Sequence, residues 1–431
     1  MKKAWIVQVF WGLAAVLVLA GCGKKSGDIV LRASDWGGGG PAELEIRNAL
    51  ARGFEKLHPG VKVVMERAPW NEYIPKLLTQ CVAGSAPDVI LVEVSQVASF
   101  TSRHALVDLR PFLEKDPGLK LGDFYPEAIR QYTVAGEGGL YAIPRDISPI
   151  ALVYYNKKKF DEAGIPYPKD DWDYLEFLKT AQKLTKRDAN GRTTQYGFLD
   201  DSNMFDAWVY AFGGSIADDE RAPKRLVLDS PEAIAGTQFR ADLVYKYKVT
   251  PSPSNMTAMG GLGNSDQFMN GSVAMLQSGI WISPTLRGIT AFDWDAVEFP
   301  KGPKGRRGFG MGGAGYALLK GSKHPELAYE LAKYFGGEPG QKYMATTGLC
   351  QPALRPLARS PIFVDDQKPR SKGFLVDAVR YGHSNPFDPN QAEWSAVLGS
   401  ALDRVWSGAE SAETVLKRVV PEINAKFFNK H

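Results

Sequence analysis

The sequence is poor in the side chains that build metal, redox and nucleophilic sites. Its 431 residues include 3 cysteines and 5 histidines, and none of them shows a CxxC or other metal-ligand spacing. No arrangement of serine, histidine and aspartate typical of nucleophilic catalysis is evident either. We therefore expect no metal site, no cofactor and no catalytic residue.

The chain also lacks an excess of one charge. Its 52 Lys and Arg residues nearly balance 48 Asp and Glu, which leaves a formal net charge of +4. The one basic cluster, Lys157 to Lys159, follows a predicted strand, where a solvated turn accounts for it. Nucleic-acid binding usually requires a clear basic patch, so we expect no nucleic-acid partner.

Only one hydrophobic run is long, and it lies at the N terminus. It starts at Ala4, follows Lys2 and Lys3, and ends in Leu19-Ala20-Gly21-Cys22. A charged start, a short apolar core and a small-residue cleavage site are typical of a signal peptide. Leu-Ala-Gly-Cys matches the bacterial lipobox. The alternative is an uncleaved membrane helix, for which an apolar stretch of ~17 residues is at the lower limit.

This N-terminal pattern predicts where the protein resides. Residues 1–21 would be removed, Cys22 would carry lipid, and residues 22–27 would form a linker. The rest of the chain would then be extracytoplasmic, held at the membrane on the periplasmic side or the cell surface. Two cysteines remain, Cys81 and Cys350. They are either isolated thiols or one long-range disulfide, which an exported protein can form.

The length predicts two domains, and the order of elements predicts their class. Strands are expected at Asp28–Asp35, Val61–Met65 and Val89–Val92, with helices between them. The run Val89–Val92 is continuously apolar, as in a parallel strand that is buried on both faces. Alternating strands and helices indicate an α/β fold with a doubly wound sheet.

Several segments, in this order, resemble those of the family 1 extracellular solute-binding proteins of bacterial ABC importers, the group that includes maltose-binding and multiple-sugar-binding proteins. The segments are Phe54-Glu55-Lys56 with Pro59-Gly60, Trp70 with Tyr73, Gly84 with Pro87-Asp88-Val89, Gly139 to Pro144, Val153 to Lys157, Pro168 to Leu184, Phe268 to Trp281, Gly312-Gly313 with Gly315, and Gly348 with Pro352. Asp171 stands where the family usually has threonine.

The resemblance implies a two-lobed, type II periplasmic-binding-protein fold. Each lobe would be an α/β sandwich around a mostly parallel sheet, with the ligand cleft between the lobes. Crossings are expected near Ile143–Asp146, Glu298–Lys301 and Pro352–Pro361. They divide the chain into an N-terminal lobe, residues 28–144 plus 300–355, and a C-terminal lobe, residues 145–299 plus 356–431.

Sugar recognition needs flat apolar rings for the C–H face and fixed polar groups for the hydroxyls. The aromatic candidates follow predicted strands, flank glycines or open a helix; they are Trp36, Trp70, Tyr73, Trp208 and Trp281. The other candidates lie at strand ends or crossings, and they are Asp35, Ser95, Asp146, Gly312, Gly313 and Arg355.

Each candidate also has a structural alternative. The rings could be packing anchors, and Asp146 could form a hinge salt bridge with Arg145 or Arg355. Glu93 competes with Ser95, because alternation along the strand decides which one faces the cleft.

The resemblance implies a monomeric, lipid-anchored receptor that binds a mono- or oligosaccharide and delivers it to the permease subunits of an ABC importer. A non-sugar solute such as a polyol phosphate is one alternative. A second is an exported glycoside hydrolase, which would need two carboxylates about 5–10 Å apart. The adjacent acids Asp170-Asp171, Asp200-Asp201 and Asp218-Asp219 are its candidates.

Overall fold

The computed structural model describes residues 28–37, 40–134, 138–200 and 204–428, so the predicted signal peptide and Cys22 lie outside the described residues. The strands, in chain order, are β1 Ile29–Gly37, β2 Val61–Pro69, β3 Val89–Glu93, β4 Ile143–Pro144, β5 Ser148–Pro149, β6 Leu152–Asn156, β7 Lys186–Arg187, β8 Thr193–Gln195, β9 Met275–Ser278, β10 Trp294–Glu298, β11 Phe309–Gly312, β12 Ala314–Leu318 and β13 Gly382–Ser384.

The helices lie between these strands and fill the C-terminal part of the chain. They are α1 Gly40–Leu57, α2 Trp70–Val82, α3 Val97–Ser102, α4 Arg110–Leu113, α5 Pro126–Gln131, α6 Lys157–Ala163, α7 Tyr174–Leu184, α8 Asp206–Ala211, α9 Pro231–Tyr245, α10 Pro253–Ala258, α11 Asn264–Met269, α12 Ser283–Leu286, α13 Pro325–Gly336, α14 Glu338–Thr347, α15 Arg355–Ala358, α16 Leu375–Ala378, α17 Gln391–Trp406 and α18 Ala412–Ile423. None of the helices in the described ranges combines the length and apolar character needed to cross a bilayer.

The first lobe is built on a five-stranded sheet with the order β2-β1-β3-β12-β4. Strand β1 pairs in parallel with β2 and β3, whereas β12 is antiparallel to β3 and β4. Successive side chains of a strand point to opposite faces. Accordingly, Val89 and Leu91 join the core on one face, and Ile90 and Val92 join the core on the other. Burial of this strand on both faces is thus confirmed.

The second lobe contains a sheet with the order β10-β6-β9, and here the pairing direction differs from the expectation. Strand β6 is antiparallel to both β10 and β9. Every residue of β6 is buried. Burial on both faces makes a strand apolar whether its neighbours are parallel or antiparallel, so the composition could not reveal the direction.

A small third sheet, with the order β13-β11-β5, connects the two lobes. We call it the hinge sheet. Strand β5 lies in the connection from β4 to β6, and β11 lies in the connection from β10 to β12. Strand β11 pairs with β5 on one side and β13 on the other. Chain segments that run between the lobes therefore hold one another through backbone hydrogen bonds. The lobe boundaries drawn from the sequence stay a prediction.

No disulfide joins Cys81 and Cys350. Cys350 belongs to the core on one face of the first sheet, and Cys81 packs against the core on the other face. Of the two alternatives drawn from the sequence, the structure therefore agrees with two cysteines that are not linked by a disulfide.

Aromatic side chains dominate the core of the second lobe. The Trp208 indole has no exposed surface, and its ring centre lies 4.6 Å from that of Phe299 and 4.8 Å from that of Phe239. Removal of a fully buried aromatic ring leaves a cavity as well as lost apolar burial.

Trp208→Ala should lower the free energy of unfolding of the second lobe by about 3–5 kcal/mol, the range for large-to-small aromatic changes in cores. Urea denaturation followed by circular dichroism measures this loss. Trp70→Ala is the control, because that ring is 49% exposed. Equal losses for the two variants would contradict the core assignment.

Candidate functional site

In each lobe, one end of the main sheet lies next to the hinge sheet. In the first lobe, Glu93 at the end of β3 pairs with Ala314, which follows β11 by two residues. In the second lobe, Ser278 at the end of β9 pairs with Leu152, which follows β5 closely. The carboxyl ends of β1, β3 and β9 therefore lie at the lobe edges joined by the crossings, which is where a cleft between α/β lobes forms.

Two indoles lie at this edge of the first lobe. Trp36 is the penultimate residue of β1 and is partly buried, and Trp70 opens α2 directly after β2. Their ring centres are 5.0 Å apart in an edge-to-face arrangement. Trp70 keeps 49% of its surface exposed, so a ligand can reach the pair.

Tyr73 supports this pair from inside the lobe. Its ring is fully buried, and its centre lies 5.6 Å from that of Trp36. The hydroxyl is 2.9 Å from the carbonyl oxygens of Ser34 and Leu91, in strands β1 and β3. The structure thus places Tyr73 behind the indoles, where no solute reaches it.

Trp281 lies at the facing edge of the second lobe, in a short turn after β9. Its ring lies against the backbone of Gly279, where a β-carbon would collide with it. Only glycine allows this close approach. The indole is fixed in orientation and remains 38% exposed.

Asp35 is also at the end of β1, but it points into the protein. It has no exposed surface, and its carboxylate oxygens lie 2.8 Å from Arg47 Nη1 and 2.9 Å from Arg67 Nε. The two cations come from α1 and β2. Since both oxygens are engaged, Asp35 joins three elements of the lobe and does not face the cleft.

Asp146 lies between β4 and β5 and is 2% exposed. One carboxylate oxygen is 2.5 Å from Arg145 Nε, and the other accepts hydrogen bonds from the Ala314 amide at 3.1 Å and the Ser148 hydroxyl at 3.2 Å. Burial alone would lower the pKa of Arg145, but the negative charge of Asp146 and smaller contributions from its neighbours together raise it. The structure therefore realises the hinge salt bridge with Arg145 that the sequence left open.

Gly312 and Gly313 lie where β11 passes into β12. A β-carbon on Gly313 would approach the Asp146 carbonyl oxygen to 3.0 Å, and the Gly313 carbonyl accepts a hydrogen bond from the Val94 amide. The small residue thus allows two connecting segments to pass closely. Gly312 is partly exposed and has the Glu93 carboxylate nearby.

Glu93 and Ser95 form a polar group between these elements. The Glu93 carboxylate accepts hydrogen bonds from the Ser95 amide, at 2.7 Å, and from the Ser95 hydroxyl. Burial, with the negative charge of Asp146 adding to it, raises the pKa of Glu93 to about 7 despite these bonds. Both residues are partly exposed at the end of β3, so alternation does not exclude either from the cleft.

Trp208 and Arg355 are not brought to the cleft. Trp208 is enclosed in the aromatic core of the second lobe, so no ligand reaches its ring. The Arg355 guanidinium donates to the carbonyl oxygen of Gly122 on the surface of the first lobe. The sequence suggested both as ligand contacts, because Trp208 lies near two glycines and Arg355 lies in a predicted crossing, and neither signal reports burial.

A polar group around the hinge sheet was missed. The His383 ring stacks on Tyr210 at 4.0 Å, and its Nδ1 is 2.7 Å from Glu220 Oε1. Burial raises the pKa of the nearby Asp206 to about 6. These residues belong to segments without a recognisable motif, and His383 and Glu220 are 163 positions apart, so no local pattern connects them.

Glu93→Gln should change how stability depends on pH. Because the folded state raises the pKa from 4.5 to about 7, the stabilisation is complete below pH 4.5 and is lost as pH rises through 7. The group should contribute on the order of 1–3 kcal/mol across this window. Urea denaturation at several pH values should show a smaller decline for Glu93→Gln than for the wild type. The exposed Glu72→Gln is the control, and an unchanged slope in Glu93→Gln would contradict the assignment.

Known proteins are similar in sequence to this chain over most of its length. The galactooligosaccharide-binding protein of Bacillus subtilis is 26% identical, over 100% of this chain and 99% of that protein. The maltotriose-binding protein of Pyrococcus abyssi is 25% identical over 94% of this chain and 83% of that protein.

A solved structure confirms the predicted fold class. The ABC substrate-binding protein of Listeria monocytogenes in complex with cycloalternan superposes with a TM-score of 0.82 and is 24% identical. The match covers 92% of this chain and 98% of that one, which establishes the two-lobed type II fold.

The family model for bacterial extracellular solute-binding proteins matches residues 39–342. This range includes every strand of the two lobe sheets except β1, together with strands β5 and β11 of the hinge sheet. The chain belongs to the bacterial extracellular solute-binding protein family.

Proposed function

We propose that the protein is the receptor of an ABC importer, binds an uncharged mono- or oligosaccharide between its lobes, and delivers it to the permease subunits. The observation that carries the proposal is the placement of partly exposed indoles, Trp36 with Trp70 and Trp281, at the lobe edges joined by the hinge sheet. Indole faces pack against the C–H faces of sugar rings, and such sites need only a few additional polar groups.

The charges near the cleft favour an uncharged ligand. Arg67 is paired with Asp35, and Arg145 is paired with Asp146. A phosphate-bearing ligand would require cations whose charge is not already neutralised by a carboxylate, because phosphate binds arginine through charge-assisted hydrogen bonds. Glu93 and Ser95 instead offer oxygen atoms that exchange hydrogen bonds with sugar hydroxyls.

Three of the carboxylates considered for a hydrolase, Asp200, Asp218 and Asp219, have structural partners. Asp200 is ion-paired with Arg240 at 3.1 Å. Asp218 and Asp219 accept hydrogen bonds from the backbone of the turn that follows them. These contacts support a binding protein without catalytic activity over a glycoside hydrolase.

Binding would be coupled to lobe closure. A solute shifts an equilibrium between open and closed forms only through contacts that differ between them. Indoles on separate lobes supply such contacts, because a single sugar can touch both indoles only when the lobes approach each other. The closed form is then the one that the permease recognises.

The named relatives support this choice of ligand class, since their names specify galactooligosaccharide and maltotriose binding. The lipobox supports an anchor at Cys22, which would keep a monomeric receptor close to the permease on the outer side of the cytoplasmic membrane or on the cell surface.

The proposed function is tested by titration calorimetry against galactooligosaccharides, maltotriose, arabinooligosaccharides and a polyol phosphate. We expect micromolar or tighter binding of at least one sugar, together with a smaller radius of gyration in X-ray scattering. Binding of the polyol phosphate alone would overturn the choice of ligand. Release of shorter sugars from an oligosaccharide would show a hydrolase.

Trp281→Ala should weaken sugar binding about tenfold or more, because burial of one indole face contributes at least 1.4 kcal/mol. Calorimetry with the sugar identified above measures the loss. Tyr343→Ala, at a ring of matched exposure (39%) on α14, is the control and should bind normally. Equal affinity of the Trp281→Ala variant and the wild type would remove Trp281 from the site.

A further inference from the structure

A cavity of about 420 Å³ opens on the second lobe. It lies between the β7–β8 hairpin, the C-terminal end of α9 and the start of α10, and its lining includes Arg187, Arg192 and Lys248. None of the residues that line it is acidic. The volume falls within the range of small-molecule sites, about 300–1,000 Å³.

The three cations are not neutralised by carboxylates. Among the described residues, no ion pair joins Arg187, Arg192 or Lys248 to an acid within 4.0 Å. The nearest acid in the hairpin, Asp188, accepts hydrogen bonds from the backbone amides of Asn190 and Arg192 and so holds the turn. Most other cations of this lobe, such as Lys186 with Glu162, do have such partners.

Hydrogen bonds hold the Arg187 side chain in place, and they connect the hairpin to the segment that contains Lys248. Arg187 donates to the Thr193 hydroxyl at 2.7 Å and to the Lys248 carbonyl at 3.3 Å. Lys248 has a φ of 53°, which is uncommon for a residue with a β-carbon. Backbone strain of this kind concentrates at functional sites and persists only where neighbouring contacts maintain it.

Buried polar atoms line the same cavity. Thr250 is 3% exposed, and its hydroxyl oxygen has no hydrogen-bond partner. Such a group is costly unless something satisfies it. Tyr196 lies beside it in the lining; burial raises the pKa of its hydroxyl, and the positive charges of Arg187 and Arg192 oppose that rise.

The cavity is separate from the sugar cleft. The segment from Tyr196 to Leu199 runs parallel to β9. Tyr196 pairs with Val273, before the start of β9, and Leu199 pairs with Leu276 within it. Trp281 follows the other end of β9. The cavity and the cleft are therefore at opposite ends of the same strand.

From these observations we infer that this cavity is a second binding site, for a phosphate-bearing anion. Two guanidinium groups and an ammonium group match the charge of a phosphate ester or diphosphate, and arginine forms paired hydrogen bonds with phosphate oxygens. The anion can be a free organic phosphate or the headgroup of an anionic lipid, since both present the same chemistry.

The experiment uses the full chain in detergent and inorganic pyrophosphate as the probe. Calorimetry should detect binding that weakens as ionic strength rises, because the attraction is electrostatic. Arg192→Gln and Lys248→Asn should each weaken binding about tenfold, the loss expected for a charge-assisted hydrogen bond. Asparagine is chosen at 248 because it tolerates the left-handed backbone.

Lys186→Gln is the matched control, because this neighbouring lysine is paired with Glu162 outside the cavity lining. It should bind pyrophosphate as the wild type does. Sugar binding should be unchanged in all three variants, which shows that they fold and that the two sites are distinct. Vesicles of phosphatidylglycerol and of phosphatidylcholine form a second arm. If the wild type prefers phosphatidylglycerol vesicles and the Arg192→Gln variant does not, the bound anion is a lipid headgroup.

Failure of both pyrophosphate and phosphatidylglycerol to bind would overturn the inference. It would also be overturned by equal affinity in the Arg192→Gln, Lys248→Asn and Lys186→Gln variants, or by loss of pyrophosphate binding in Trp281→Ala, which would place the anion in the sugar cleft.

Discussion

The rest of the molecule depends on the backbone hydrogen bonds of the hinge sheet, which join the segments that run between the lobes. Strands β5, β11 and β13 come from separate parts of the chain, yet they form one small sheet. Asp146 reinforces it by bonding to Arg145, Ser148 and the amide of Ala314, and the neighbouring backbone bridges to Pro352. A buried ion pair with these additional hydrogen bonds is well compensated, whereas loss of one partner would leave a buried charge. Movement of the lobes therefore has to pass through bending of this sheet.

Burial and partners, more than residue type, separate the proposed recognition surface from the residues that support it. Asp35 and Tyr73 are near Trp36 and Trp70 in the sequence and in the structure, but the polar atoms of each are engaged inside the first lobe. The exposed indoles stand in front of them. This layering fixes the orientation of the rings before a solute arrives, which reduces the entropy lost on binding.

Strands and core helices could be predicted from the sequence because their apolar periodicity reflects burial. The run Val89–Val92 specified a strand covered on both faces, and the structure agrees. Pairing direction in the second sheet could not be predicted, since β6 is apolar for either direction. The candidate site was harder: Trp208 and Trp281 are both near glycines, and only the tertiary packing buries one ring and exposes the other. The pairing of His383 with Glu220 depends on long-range contact and left no local trace.

The place of β12 in the first sheet has a consequence for how the chain matures. Residues 314–318 insert between β3 and β4, which end at residue 93 and begin at residue 143. The sheet is thus incomplete until a strand far along the chain arrives, and such long-range pairing is slow to form. A polypeptide that is threaded N-terminus first through a secretion channel would keep an open, unfinished sheet during most of its passage. The order of strands itself would postpone completion of the first lobe until residue 318 has emerged.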